Sequence, residues 1–429
     1  MKLLINGGRI INPADQLDMT GDILIENGKI AAIGQNITDI DAQVIDAAGL
    51  VVAPGLVDMH VHLREPGLEA KEDIASGTRA AAAGGFTTVA CMPNTKPTVD
   101  NSILVSGLIQ RGQTEGVVNL KIIGALSKGM EGKELAEIGD MIAAGAVAIS
   151  DDGGHLDSTR LLKTGLEYTG MFERPVITHS EDEELAGEGY MHEGAVSAML
   201  GLKGRPSVAE DIAVARDIML AEYTGSPIHI AHVSSKGAVE IIRQAKQRGV
   251  KVTAEATPHH LTLTDNELKS FNTAFKVNPP LRSADHVDAL IAGLKDGTLD
   301  AIATDHAPHA FEEKDVEFRY APSGFAGLET AVGVVLTGLY HTGKLSLPEI
   351  IAKMSYAPAK ILGLDRGELK VGAPADITII DTEYEWTINC INFYTRGKHS
   401  PFEGRNFKGK SLITIVNGSI IMQNGEVLK

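Results

Sequence analysis

Eight apolar, β-rich runs, at 57–63, 86–92, 119–125, 146–150, 175–179, 228–233, 251–256 and 300–304, recur through the middle of this 429-residue chain, with Ala-rich helical stretches between them. Strands that are apolar throughout are buried on both faces, the condition of a parallel sheet covered by helices. Eight such units predict a (β/α)8 barrel, with a doubly wound open sheet as the competing arrangement. The helical spacers include 72–83, closed by Gly84-Gly85, and 207–223, opened by Ser207 as a cap. The stretch 257–299 is long for one connection and predicts loop and helix in a functional role.

Both ends of the chain have a different texture. The first fifty residues read as short strands at 3–5, 10–11, 23–26, 30–33 and 44–46, broken by Asn6-Gly7-Gly8 and Asn27-Gly28. The last sixty repeat that pattern at 375–380, 412–417 and 419–423, with Asn417-Gly418 and Asn424-Gly425 as hairpin turns. The two ends are therefore predicted to pair into one small β-sandwich domain. That divides the chain into 1–52, a catalytic barrel at 53–366, and 367–429.

Composition removes several classes of function. Apolar residues at 43% and charged residues at 22% fit a folded, soluble protein. A net charge of −17 has the wrong sign for a general nucleic-acid binder or a protein held on anionic membranes. Two cysteines, Cys91 and Cys390, allow at most one disulfide and point to a reducing compartment. The opening MKLLINGGRI is too short an apolar stretch for a signal peptide, and no run of 18 apolar residues follows, so a cytoplasmic protein is expected.

The chemistry concentrates where the apolar runs end. In Asp58-Met59-His60-Val61-His62, side chains two apart share one face of a strand, so His60 and His62 can grip a metal together. On the barrel reading Asp152 follows strand 4, His179 ends strand 5, His232 ends strand 6 and Asp305 follows strand 8. All six side chains then meet on the C-terminal rim, where barrel enzymes place their sites. Four imidazoles and two carboxylates exceed what one catalytic zinc takes, and suit two metals with a carboxylate between them. Taken alone, Asp151-Asp152 before Gly153-Gly154 would read as a solvated turn. Cys91 reads as a buried small residue, and His155, His259, His260 and His306 as structural or supporting groups.

Two segments carry a resemblance to a known family. Asp58-Met59-His60-Val61-His62-Leu63-Arg64-Glu65-Pro66-Gly67 and Ala303-Thr304-Asp305-His306-Ala307-Pro308-His309, with Lys314 five residues on, resemble the signatures of dihydroorotases of the amidohydrolase superfamily. The likeness runs nearly end to end. The H-x-H pair is shared with allantoinases and hydantoinases, whereas Arg64, and Asn94 in Met92-Pro93-Asn94-Thr95, narrow the match to dihydroorotase. The resemblance implies one zinc on His60, His62 and Asp305 and a second on His179 and His232. Many superfamily members bridge the metals with a carboxylated Lys on strand 4, but 144–152 contains none, the nearest being Lys133 and Lys163. Asp152 is then the bridge.

The same resemblance makes Asp305 the general base and acid. Arg64, Asn94 and His309 would hold the substrate's α-carboxylate, with His62 also against the substrate, while Asn278 and the backbone of Ser323 and Gly324 would meet the pyrimidine ring. A planar guanidinium suits such a carboxylate because it offers two parallel donors. The implied reaction is reversible closure of N-carbamoyl-L-aspartate to (S)-dihydroorotate and water in pyrimidine biosynthesis. A small-molecule substrate, a homodimer, and aspartate transcarbamoylase as a candidate partner belong to the same expectation. Another cyclic amidase would lack the set of Arg64, Asn94 and His309, and a non-catalytic scaffold homologue would have lost ligands; here neither set is missing.

Overall fold

The computed structural model describes residues 2–154 and 156–428. Eight parallel strands, β1 (Leu56–Val61), β2 (Phe86–Cys91), β3 (Asn119–Ala125), β4 (Ala146–Ser150), β5 (Val176–Thr178), β6 (Ile228–Ile230), β7 (Val252–Ala256) and β8 (Ala301–Ile302), lie side by side in chain order. The ring closes where Val61 forms a parallel bridge to His306 and the His62 amide donates to the His306 carbonyl at 2.8 Å. Met59, Ala90, Ile123, Ala148, Ile177 and Ala301 are among the residues that fill the interior. A second apolar layer, including Phe86, Val89, Ile122 and Ile228, packs under the surrounding helices. This is the barrel the alternation predicts, with no open sheet.

Several barrel strands stop earlier than their apolar runs. The run at 228–233 is a ladder only over Ile228–Ile230, and that at 300–304 only over Ala301–Ile302. In the run 228–233 backbone conformation explains the difference, since His232 itself has a positive φ. His232 (φ 33°), Asp305 (φ 49°) and Arg64 (φ 63°) all take positive φ just past their strands, which no extended ladder tolerates. Non-glycine residues held in that region mark sites where the surrounding structure over-determines the backbone.

The helix expected over 72–83 runs over Ile74–Gly84: Gly85 closes it at φ 92° as the glycine pair predicts, while its start is set by the Asp73 carboxylate, which accepts from the Ser76 amide at 2.7 Å. The spacer Ser207–Thr224 corrects its predicted start. Pro206 occupies the cap position and Ser207 is already helical, with no side-chain cap bond. The long connection after β7 holds two short 3-10 turns, Asp265–Ser270 and Thr273–Phe275, before the helix Ala284–Asp296. After β5 the chain makes an excursion whose two short strands, Met191–His192 and Gly204–Arg205, pair in parallel.

The two termini share one nine-stranded sheet, joined where Val51–Pro54 runs antiparallel to Ile377–Thr387. Residues from both ends, including Ile5, Ile23, Val52, Ile379 and Ile415, bury into a common core. Asn6-Gly7-Gly8 is not the expected break. It is a bulge inside the single strand Lys2–Asn12, with the register shifting between Ile5 and Gly8. Asn417-Gly418 and Asn424-Gly425 do turn hairpins, each with two successive positive φ values. Among the described residues no helix is long and apolar enough to cross a membrane.

Candidate metal centre

β1 delivers the first pair of imidazoles. His60, in β1, and His62, just past its end, meet at one cluster where the register shifts between Asp58 and Val61, their rings 5.3 Å apart. Each has its tautomer set from behind: His60 Nδ1 donates to Glu255 Oε1 at 2.7 Å, and His62 Nδ1 to Asn94 Oδ1 at 2.8 Å. Each Nε2 is thereby left with its lone pair facing the cavity. Glu255, buried in β7, also reaches His229 Nε2 at 3.1 Å.

Asp152 sits between two histidine pairs, one carboxylate oxygen to each. Its Oδ2 lies 3.1 Å from His60 Nε2 and 3.4 Å from His62 Nε2, while its Oδ1 lies 3.2 Å from His232 Nε2 and 3.5 Å from His179 Nδ1. Asp305 Oδ1 adds a second oxygen to the first pair, 3.1 Å from His62 Nε2 and 3.5 Å from His60 Nε2. Ligands each about 2.0–2.2 Å from one tetrahedral metal ion stand roughly 3.3–3.6 Å apart, so donors separated like these are close enough to share an ion. Asp152 is 2% exposed, so the solvated-turn alternative does not hold. The neighbouring Asp151 accepts from the Leu126 and Ser127 amides at 2.8 and 3.0 Å, which pins the chain so that Asp152 turns inward.

Electrostatics show a cluster built around positive charge. Burial opposes ionisation of Asp152, but His60, His179 and His232 outweigh it and hold the carboxyl well below its usual range. Asp305 is nearly buried, which opposes its ionisation, yet it is lowered to about 2, chiefly by His62 and His60. In turn, burial disfavours the His179 cation, but Asp152 and Glu181 push its pKa up to about 10. His179 Nδ1 and His232 Nε2 lie 2.9 Å apart, and His232 Nδ1 is buried with no bonding partner among the described residues. Two ring nitrogens aimed at the same carboxylate oxygen need a cation between them, either a proton or a metal. Two overlapping ligand groups, His60 with Asp152 and His232, and His60 with His62 and Asp305, have donor atoms close enough for one ion each.

The other expected residues line the same cavity of about 270 Å³. Arg64 is buried and its Nε donates to the Pro308 carbonyl at 3.2 Å, leaving its terminal nitrogens for the cavity. His309 Nε2 donates to the Ser323 carbonyl at 2.8 Å, and Lys314 holds the same loop from below through the Pro322 and Gly324 carbonyls. Gly153 permits the closest approach: at φ 96°, a Cβ there would fall 2.2 Å from Asn94 Nδ2. Asn278 Nδ2 lies 3.1 Å from His179 Nε2 and 3.2 Å from Glu181 Oε2.

Sequence reasoning missed Glu255, Glu181 and Arg205. Glu255 is the only acid in its run, 251–256, a usable signal, while Arg205 lies in an excursion with no motif. His306 and His260 are supporting groups, bonded to Glu72 and to the Pro279 carbonyl. The thiol of Cys91 is buried and pushed up to about 11 by desolvation, which suits a packing role. His155 lies outside the described residues.

Comparison with known proteins agrees with this geometry. Residues 49–238 match a family model described as dihydro-orotase-like. A dihydroorotase of Trichlorobacter lovleyi is 53% identical over 422 residues, covering 98% of this chain and 99% of the relative. One of Citrifermentans bemidjiense is 52% identical over 99% of this chain and 100% of its own length. Among solved structures, the L-hydantoinase (dihydropyrimidinase) of Arthrobacter aurescens superposes with a TM-score of 0.91 at 28% identity, covering 100% of this chain and 97% of that one. The barrel, and the ligand cluster on its C-terminal rim, define a cyclic-amide hydrolase of the metal-dependent kind. Within that class, the chain belongs to the dihydroorotase family.

Proposed function

We propose that this chain catalyses the reversible closure of N-carbamoyl-L-aspartate to (S)-dihydroorotate and water, the dihydroorotase step of pyrimidine biosynthesis, with two zinc ions bridged by Asp152. The observation that carries the metal reading is the placement of one Asp152 oxygen against His60 and His62 and the other against His179 and His232. His60, His62 and Asp305 would hold one ion, and His179 with His232 the other. When bound, the pair supplies Lewis-acid polarisation of the ring carbonyl and a water activated near neutral pH.

The protein's own groups do the rest. Asp305, ionised at neutral pH and beside His62, accepts the proton of the attacking water and delivers it to the departing ring nitrogen. Arg64 and Asn94 bind the α-carboxylate and set the ring's orientation, with His309 lining the same pocket beside them. Asn278 and the Ser323–Gly324 backbone meet the ring's amide groups. Ring closure runs the same transfers backwards.

Lysine is absent from β4, so the protein should need no carbon dioxide to assemble its centre. Metal analysis and recovery of activity with and without bicarbonate test this. Two zinc ions per chain and no bicarbonate effect are expected; a bicarbonate requirement overturns the Asp152 bridge. The division at 52/53 and 366/367 into barrel and terminal domain, a cytoplasmic location and a homodimer complete the proposal. Sedimentation of the purified protein measures its assembly.

A further inference from the structure

Strand order sets where charge stands around the cavity. Arg64, Asn94 and His309 come from just beyond β1, β2 and β8, three neighbours in the closed ring. Arg205 enters from the excursion after β5, and in an eight-stranded ring β5 stands diametrically across from β1. Both guanidinium groups line the same cavity. The reading above gives work to the first only.

Arg205 is built into the wall rather than left on the surface. Its Nε donates to the Gly189 carbonyl at 2.7 Å, and its Nη1 donates to Glu181 Oε2 at 2.8 Å and to Asn278 Oδ1 at 2.7 Å. Glu181 is itself 4% exposed. Among the described residues Nη2 makes no hydrogen bond, although the side chain faces the cavity. Because Asn278 Oδ1 is taken by Arg205, the amide is fixed with its Nδ2 toward Glu181 and His179. The donor this wall turns to the cavity is therefore Arg205 Nη2, on a delocalised cation, and it matches a carbonyl oxygen that gains negative charge.

The ring-opening reaction produces such an oxygen. Hydrolysis breaks the bond between the attacked carbonyl carbon and a ring nitrogen that also belongs to the ureido group. The bonding pair stays with that nitrogen and delocalises onto the ureido oxygen until a proton arrives at nitrogen. Donors at that oxygen bind the transition state more tightly than the ground state, which is the condition for raising kcat.

We propose that Arg205 is a catalytic residue that donates through Nη2 to the ureido oxygen, across the cavity from the carboxylate held by Arg64, and that Glu181 holds its guanidinium in place. The inference rests on the substrate reading above. The test is steady-state kinetics on dihydroorotate for Arg205→Gln, Arg205→Lys and Arg205→Ala, the last with and without added guanidinium ion, with metal content measured on each. Losing a charge-assisted contact predicts a fall in kcat of about 10- to 100-fold for Arg205→Gln, with KM moved by less than about threefold. Metal content stays at the wild-type level, and guanidinium restores part of the Arg205→Ala activity. Arg205→Lys keeps a cation beside Glu181, so it folds even if the other two do not. One ammonium cannot reproduce the planar fork toward Glu181, Asn278 and the substrate, so its kcat falls several-fold. Wild-type kcat in Arg205→Lys, or a loss that tracks metal content and resists guanidinium, overturns the proposal. A wild-type protein inactive on dihydroorotate overturns the substrate reading instead.

Discussion

On the proposed mechanism Asp305 would be both a ligand of the His60–His62 site and the group that moves the proton, and the two roles separate by mutation. The site keeps two imidazoles and the Asp152 oxygen without it, so Asp305→Ala should retain most of its metal. Its kcat should fall by about 10² to 10⁴, the usual worth of a positioned acid–base group. Near wild-type turnover with metal bound would assign the proton transfer elsewhere. Arg64 tests the substrate instead. Its Nε is bonded to the Pro308 carbonyl rather than to a ligand carboxylate, so Arg64→Ala should leave metal content unchanged while kcat/KM on dihydroorotate drops by roughly one to two orders of magnitude, the equivalent of about 1.5 to 3 kcal/mol. Arg64→Lys preserves charge but not the planar pair of donors, and should recover only part of that loss. A wild-type preference for uncharged hydantoin would remove the carboxylate assignment altogether.

β7 shows how a strand with no ligand of its own governs the centre. Glu255 points inward from it, orienting His60 through one oxygen and His229 through the other. Glu255→Gln puts an amide NH2 where one of those oxygens accepted, so either His60 or His229 loses its acceptor. Supporting partners of this kind are typically worth 10- to 100-fold in metal affinity. A competition titration with a chelator reads that shift; unchanged affinity would reduce Glu255 to a packing role. The elements also show which parts of the site a sequence can reveal. His60 and His62 were legible because alternation on a strand is a local rule, and the rim was legible because five of the eight apolar runs end at or beside a ligand-type residue. Arg205 and Glu181 were not, because each is placed by a partner distant in sequence: Asn278 for Arg205, and Arg205 for Glu181. The early strand ends escaped for a related reason. An apolar run signals burial but not φ, and His232 and Asp305 leave the ladder through positive φ while remaining buried or nearly so.

At the scale of the whole molecule, the barrel and the terminal segment are locked together partly through Glu329. Its carboxylate lies just before the helix Ala331–Val335 and accepts the Tyr394 and Thr395 amides at 2.9 and 3.2 Å. Thr395 in turn bonds Glu72, which reaches His306 beside Asp305. Burial raises the Glu329 carboxyl to about 8 despite those two donors. The sign of the consequence follows from linkage: between about pH 4.5, where the unfolded carboxyl ionises, and pH 8, the folded protein holds more protons than the unfolded chain. This group therefore lowers stability as pH rises through that window, by at most about 1.4 kcal/mol per pH unit for one proton. Glu329→Gln cannot ionise. Its amide has a constant cost against the two backbone N–H groups, since an NH2 now faces one of them, but that cost does not vary with pH. The difference in unfolding free energy between variant and wild type should therefore shift in the variant's favour from pH 5 to pH 8, whatever its starting value. Denaturant unfolding of both proteins at four pH values in that range measures the trend. Parallel curves would show that Glu329 is ionised throughout and that its two donors, not its burial, set its charge.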